Sequence, residues 1–457
     1  MQILDEFSTR DYFRALGRAA ARADVIGISC FTGYQIDSAV RTARYLRAHF
    51  PRVPLVWGGY HPSLYPEATL QSGYADYVIP GQGEWIFLEF VQRLFGNAEP
   101  EKTPGIYRKE NGRIVYNTGA VAWHDLEAFP PFPYELVPLR AFLINSLTPR
   151  SISYHSSMGC PYRCNFCTVM QIYNRRWSGF PPERVLSDVR YLLHKTGAQS
   201  IEFYDNNFFV NDDRVFRIAR SFLDHRLGIL WSAEARPDKI AAYDDEMLSL
   251  LKRSGLKWVF IGAESGHDGV LTMMERDHTV NDILQAAENL ARHQIQVTFS
   301  FNLGYPGEPA DNFARTEALA KELLRINPET ELMIYITTVY EPTPSFHRAR
   351  ELMDKTTESL EQWAHLDQRS GEQKSWLTPA YSRKLHHFSL VTFYATSFML
   401  ARQPQNPVLR WLRRLAAVHL KRSWYRTILD LRVLNKIRTL LSRRNRKRHI
   451  DMWSGRS

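Results

Sequence analysis

Three thiols stand within eight residues, in Cys160-Pro-Tyr-Arg-Cys164-Asn-Phe-Cys167. Spaced three and two residues apart, they can wrap one metal site from a single loop. Three ligands are one short of the four that closed structural zinc or iron–sulfur sites use. An open position is what a metal needs when a cofactor or substrate must reach it. A zinc site would require a fourth ligand, for which His155 is nearest; three unrelated core cysteines are the other alternative. The fourth thiol, Cys30, stands alone and reads as a small buried residue. Four Cys in 457 residues make no disulfide framework, so the thiols are expected to be reduced.

The elements around this loop must hold it at a strand end. Ser151–Ser157 precedes it and opens a run of six strand-like segments. The others are Ser200–Tyr204, Leu230–Ala235, Lys257–Ala263, Gln296–Gly304 and Leu332–Val339, with helix-like intervals between them. Six strand–helix units predict a partial (β/α)6 barrel of the TIM type, whose active site lies at the strand C-termini. Upstream, Asp24–Ser29, Val53–Trp57 and Tyr77–Pro80 read as short strands alternating with helices. That pattern predicts a Rossmann-like, parallel, doubly wound sheet. Its ligand face would be the loops Cys30–Gln35, Gly58–Pro62 and Gly81–Glu84; an α/β module with no ligand fits the same pattern. Phe129-Pro-Pro-Phe-Pro-Tyr134 can continue neither helix nor sheet. The expected units are 1–118, a linker at 119–147, a barrel at 148–350 and a helical basic region at 351–457.

The cysteine motif, with Phe166 before its last Cys, resembles that of the radical S-adenosylmethionine (SAM) enzymes. The resemblance implies that Cys160, Cys164 and Cys167 hold three irons of a [4Fe–4S] cluster, with SAM chelating the fourth. An electron from an external reductant then cleaves SAM to methionine and a 5′-deoxyadenosyl radical. Further strand ends agree: Asp205 and Asn206, Glu234 and Arg236, Glu264 and Ser265, and Gly304 after Asn302. Each could hydrogen-bond a charged, ribose-bearing cofactor, and each could equally cap the next helix. The N-terminal segment resembles the cobalamin-binding domain of one branch of this family. Cys30, Thr32, Gly58, Gly59, His61, Gly81, Gly83 and Glu84 are its expected contacts, and Met1–Asp5 resembles its second strand, so a domain trimmed of its opening strand and helix is expected. The Asp-x-His-x-x-Gly motif that supplies an imidazole to cobalt is absent. His61 is the candidate contact, or else a loop hydrogen bond.

The branch implies methylation of an unreactive carbon, or a rearrangement, cyclisation or oxidation without methyl transfer. The formal charge of +10 does not describe the body of the protein. Residues 401–457 carry 16 Lys+Arg against Asp430 and Asp451, a net +14, and residues 1–400 are net −4. The basic tail admits three uses: an RNA handle, a peripheral contact with an anionic membrane, or helices packed on the barrel. It has no recognisable RNA-binding module, and Trp411, Leu412 and Leu415 read as buried, so nucleic acid is the weaker partner. A small-molecule or lipid-like substrate is expected. Met1–Arg22 has no apolar run and Phe388–Ala401 is too short to span a bilayer, so the expected place is the cytoplasm, including the cytoplasmic membrane face.

Overall fold

The computed structural model describes residues 1–96, 98–119, 123–352, 359–364, 376–397, 407–426, 428–431 and 433. Alternation of apolar residues decides which face each barrel strand buries. In Gln296–Leu303, Val297, Phe299, Phe301 and Leu303 join the main core, while Thr298, Ser300 and Asn302 face the other way. The same rule sends Ile201 and Phe203, or Trp231 and Ala233, outward under the helices. Glu202 and Glu234 therefore turn inward.

The strands are β1 Ile26–Ser29, β2 Leu55–Gly58, β3 Tyr77–Val78, β4 Tyr107–Glu110, β5 Arg113–Tyr116, β6 Ser151–Tyr154 and β7 Ser157–Gly159. After these come β8 Trp177–Gly179, β9 Ser200–Phe203, β10 Leu230–Ala235, β11 Leu256–Glu264, β12 Gln296–Leu303 and β13 Glu331–Ile336. Six of them form one parallel sheet in the order β13-β12-β11-β10-β9-β6, the expected partial barrel. Its connecting helices start on local signals. Thr279 and Asp282 form a reciprocal capping box for Val280–Arg292, and Gly197 closes Pro182–Thr196 in the left-handed region.

The N-terminal sheet departs from the expectation in two ways. Its order is β1-β2-β3-β4-β5, parallel through β3 and antiparallel beyond, so it is mixed and shows no reversal of strand order. Residues 1–5 form no strand. Asp5 instead caps a turn, accepting from the Ser8 and Thr9 amides, and β1 lies at the sheet edge. The antiparallel hairpin turns at Asn111-Gly112, both at positive φ. Asn-Gly is a strong hairpin signal that the strand–helix reading passed over.

The Pro-rich stretch docks onto both flanking units. Gln82 exchanges two 2.9 Å hydrogen bonds with His124, and the Leu126 amide donates to Ser178 at 2.8 Å. The C-terminal helices pack on the barrel. Pro379–Thr396 lies on β13, and its Phe388 sits 5.2 Å from the Phe313 ring and 5.0 Å from Tyr425. Pro407–Lys421 packs on that helix through Leu409, Leu412, Ala416 and Leu420. Trp411, expected inside, is instead 58% exposed. The buried stripe is set by Leu409, Leu412, Ala416 and Leu420, which leaves Trp411 and Val418 on the outer face. The run Arg443–Arg448 and most of Trp424–Leu441 lie outside the described residues. Among the described residues, no helix is long and apolar enough to cross a membrane.

Candidate functional site

The β7–β8 hairpin carries the cysteine loop, and Asp205 anchors its entrance. The Ser156 amide and the Ser156 and Ser157 hydroxyls all donate to the Asp205 carboxylate at 2.6 Å. Arg214 adds 2.8 Å bonds to the Ser156 carbonyl and hydroxyl. Both Asp205 oxygens are thus engaged by protein, and the residue positions the loop. Gly159 then turns the chain at φ 79°, where a Cβ would lie 2.1 Å from the Arg176 carbonyl oxygen.

Past the turn, the segment after β11 holds the loop from the far side. The Asn165 amide donates to the Met274 carbonyl at 3.1 Å and its side-chain nitrogen to Met273 at 2.7 Å. Its side-chain oxygen accepts from the Tyr305 hydroxyl at 2.9 Å. Phe166 packs with Val270, Met274 and Tyr305. Arg276 donates to the Cys164 sulfur at 3.1 Å and to the Gly262 carbonyl at 2.7 Å. Asn165, Tyr305 and Arg276 escaped the sequence reading. Asn165 lay unremarked inside the motif, and Arg276 carries no local signal at all.

Burial raises the thiol pKa values of Cys160 and Cys167, the latter to about 12, with the Cys164 sulfur adding to it. Crowded thiols of this kind become good ligands when a metal centre takes them as thiolates. No group of three or more Cys, His, Asp or Glu among the described residues gathers tightly enough for a single ion. A four-iron cluster takes its thiolates at separate corners, and three thiols on one loop can supply them.

The strand ends around the loop present two kinds of side chain. Glu234 on β10 has no hydrogen-bond partner among the described residues, and burial, then the nearby Asp205 charge, raises its pKa to about 7. Arg236 is 4% exposed and lies 3.8 Å over the ring of Tyr162 in the cysteine loop. Its Nε binds Asp238 at 2.9 Å, but both terminal nitrogens lack partners. A buried, unpaired guanidinium edge beside the thiols suits the carboxylate of a bound SAM. Glu264 and Ser265 are more committed. Glu264, at φ 63°, accepts from Asn302 and lies 3.6 Å from Arg276. Ser265 donates to Asn312 at 2.6 Å and accepts from the His267 amide, so it anchors the next loop. Gly304, at φ 76°, donates its amide to Glu308 at 3.0 Å.

The ligand face of the N-terminal sheet meets this loop. Gly59 is at φ 88°, where a Cβ would approach the Ser29 hydroxyl to 2.6 Å, and a Cβ on Gly81 would lie 3.4 Å from the Ile172 carbonyl oxygen. Ile172 belongs to the helix Thr168–Tyr173, directly after Cys167. Tyr60 accepts a 3.0 Å hydrogen bond from Asn206, whose oxygen in turn accepts from the Gly159 amide. Phe31 stacks on Tyr60 at 4.5 Å. Gly58 ends β2, and Gly83 and the exposed Glu84 open the helix Glu84–Phe95.

Two expected cobalamin contacts are buried in this structure. His61 is wholly buried, with Thr32 3.2 Å from its Nδ1 and Tyr65 and Trp363 against its ring. Burial pushes its pKa down to about 3. The Cys30 thiol is buried in the core of this unit, its pKa pushed up to about 12 by burial. Neither side chain reaches an open face. His61 Nε2 has no hydrogen-bond partner among the described residues, and the backbone-lined cradle suits a large ligand.

Comparison with known families agrees with this arrangement. Residues 154–320 match the radical SAM superfamily model, and residues 1–91 the B12 binding domain. The barrel thus carries the radical SAM superfamily match. In front of its radical SAM barrel stands a B12-binding domain, and these domains imply a [4Fe–4S] cluster, SAM and cobalamin as cofactors. An uncharacterized methyltransferase of Pyrococcus horikoshii is 27% identical, over 66% of this chain and 64% of its own length. The anaerobic magnesium-protoporphyrin IX monomethyl ester cyclase of Rubrivivax gelatinosus is 22% identical, over 73% of this chain and 59% of its own. The chain thus spans less than two thirds of the length of these relatives. The fold is similar to the cobalamin-dependent radical enzyme OxsB, with a TM-score of 0.66 at 15% identity over 94% of this chain and 68% of that one. It is also similar to the methyltransferase TsrM of Kitasatospora setae, with a TM-score of 0.62 at 14% identity, over 95% and 92%.

Proposed function

We propose that this protein is a cobalamin-dependent radical SAM methyltransferase acting on an unactivated carbon of a small or lipid-like molecule, with an external one-electron reductant. The observation that carries the reading is the seam of Tyr60 and Gly81 against Asn206, Gly159 and Ile172. It sets the glycine-lined cradle of one domain against the cysteine loop of the other, so a methyl carrier and a radical source would share one chamber. The bound groups supply the one-electron opening of a C–H bond and a transferable methyl. The protein's own part is to orient and to exclude water. Cys160, Cys164 and Cys167 ligate, Arg236 meets the carboxylate of SAM, and Glu234 holds or releases a proton inside the barrel near neutral pH.

Anaerobic reconstitution with iron, sulfide and hydroxocobalamin, then reduction with SAM, tests this. The expected products are 5′-deoxyadenosine and S-adenosylhomocysteine, with the first lost in Cys164→Ala; its persistence there refutes the assignment. The match to the cyclase over 73% of the chain favours a second reading, oxidation or cyclisation without methyl transfer. That reading predicts 5′-deoxyadenosine with no S-adenosylhomocysteine. The outer face of Pro407–Lys421 supports a peripheral contact with anionic lipid: Trp411 and Val418 are exposed among Arg410, Arg414 and Lys421, and Trp424 follows. Co-sedimentation with anionic but not neutral phospholipid vesicles, weakened in Trp411→Ser, is expected; equal pelleting of both proteins refutes the contact.

A further inference from the structure

We propose that Arg276 sets the reduction potential of the cluster held by Cys160, Cys164 and Cys167, by fixing a positive charge on the Cys164 sulfur. The proposal rests on the functional reading above and concerns a residue outside the cysteine motif. The Arg276 side chain is 9% exposed, and its two terminal nitrogens are divided between partners. One donates to Cys164 Sγ at 3.1 Å; the other donates to the Gly262 carbonyl at 2.7 Å and lies 3.6 Å from Glu264 Oε1. Among the described residues no other side-chain cation hydrogen-bonds a cysteine sulfur.

An added electron increases the negative charge on the cluster and its thiolates. Donors to those sulfurs and nearby cations favour the reduced form, and the effect is larger where water is excluded. Anchoring does not account for Arg276. Asn165 already ties the loop to Met273, Met274 and Tyr305, and Arg163 pairs with Asp277 from the exposed side at 3.3 Å. What Arg276 adds is charge, and the Glu264 carboxylate opposes it. The two residues should therefore move the potential in opposite directions, which loosening of the site would not do.

The test is a dye-mediated redox titration of the reconstituted holoprotein with dithionite, followed by the electron paramagnetic resonance signal of the reduced cluster, with iron content measured in parallel. Arg276→Gln is expected to lower the reduced-to-oxidised ratio about tenfold at the parent midpoint, a displacement of about 59 mV to the negative for a one-electron couple. Arg276→Lys should stay closer to the parent, and Glu264→Gln should move to the positive side. An unmoved midpoint in Arg276→Gln, or displacement of both neutral variants in one direction, overturns the proposal. If Arg276→Gln takes up no iron, Glu264→Gln decides alone, and an unmoved or more negative midpoint there overturns it. A parent protein that binds no cluster refutes the functional reading instead.

Discussion

Glu234 supports a quantitative prediction. Its carboxyl sits on β10 in the barrel interior, and burial, reinforced by Asp205, raises its pKa from 4.5 to about 7. Below pH 4.5 the group is protonated in both folded and unfolded chains and contributes no pH dependence. Between the two values the folded chain holds a proton that the unfolded chain has released, so stability falls as pH rises. Above pH 7 the loss is complete. A shift of this size is worth about 3 kcal/mol, at about 1.4 kcal/mol per unit. Glu234→Gln keeps the shape of the neutral acid and removes the titration. The variant apoprotein should match the parent at pH 4.5 and exceed it at pH 8 by up to about 3 kcal/mol. At roughly 2 °C per kcal/mol for a unit of the barrel's size, that is ~6 °C in thermal midpoint. Differential scanning calorimetry of both proteins across this range provides the comparison. A parent–variant difference that is flat with pH, or that favours the parent at high pH, would refute the reasoning.

Other perturbations follow from the loop and the seam. Asn165→Ala removes the bonds to Met273 and Tyr305 and strands their polar groups. It should cost about 1–3 kcal/mol and lower iron retained after reconstitution, read as iron per chain after desalting. Gly159→Ala places a methyl against the Arg176 carbonyl at a backbone angle that suits glycine. It should destabilise by more than about 1 kcal/mol and lower the thermal midpoint, whereas Gly228→Ala, also at positive φ but uncrowded, should be milder. Tyr60→Phe deletes the hydroxyl that accepts from Asn206 at 3.0 Å. It should cost about 1 kcal/mol and weaken cobalamin retention through gel filtration several-fold, with the iron content unchanged.

Chemistry was legible where a local pattern carries it. The Cys160, Cys164 and Cys167 spacing stands in eight consecutive residues, and the barrel strands announce themselves by apolar alternation, as in Val297, Phe299 and Phe301. Such signals survive without knowledge of neighbours, because ligand spacing and strand period are properties of the chain. The roles of single polar residues were not legible. Asp205, Ser265 and Glu234 all stand at strand ends in the sequence. Only packing shows that the first two are engaged by Ser156, Ser157 and Asn312 while the third is left open. His61 looked available beside Gly59, yet Tyr65 and Trp363 close over it from 4 and 302 residues along the chain. Arg276 reaches Cys164 across 112 residues. By itself the sequence determined the spacing of the three thiols, the strand count of the barrel and the presence of a basic tail. Tertiary structure alone decided which charges face the thiols, which face of the described tail helix is exposed, and that His61 is buried. Those depend on contacts made through space, and no local pattern encodes the partner.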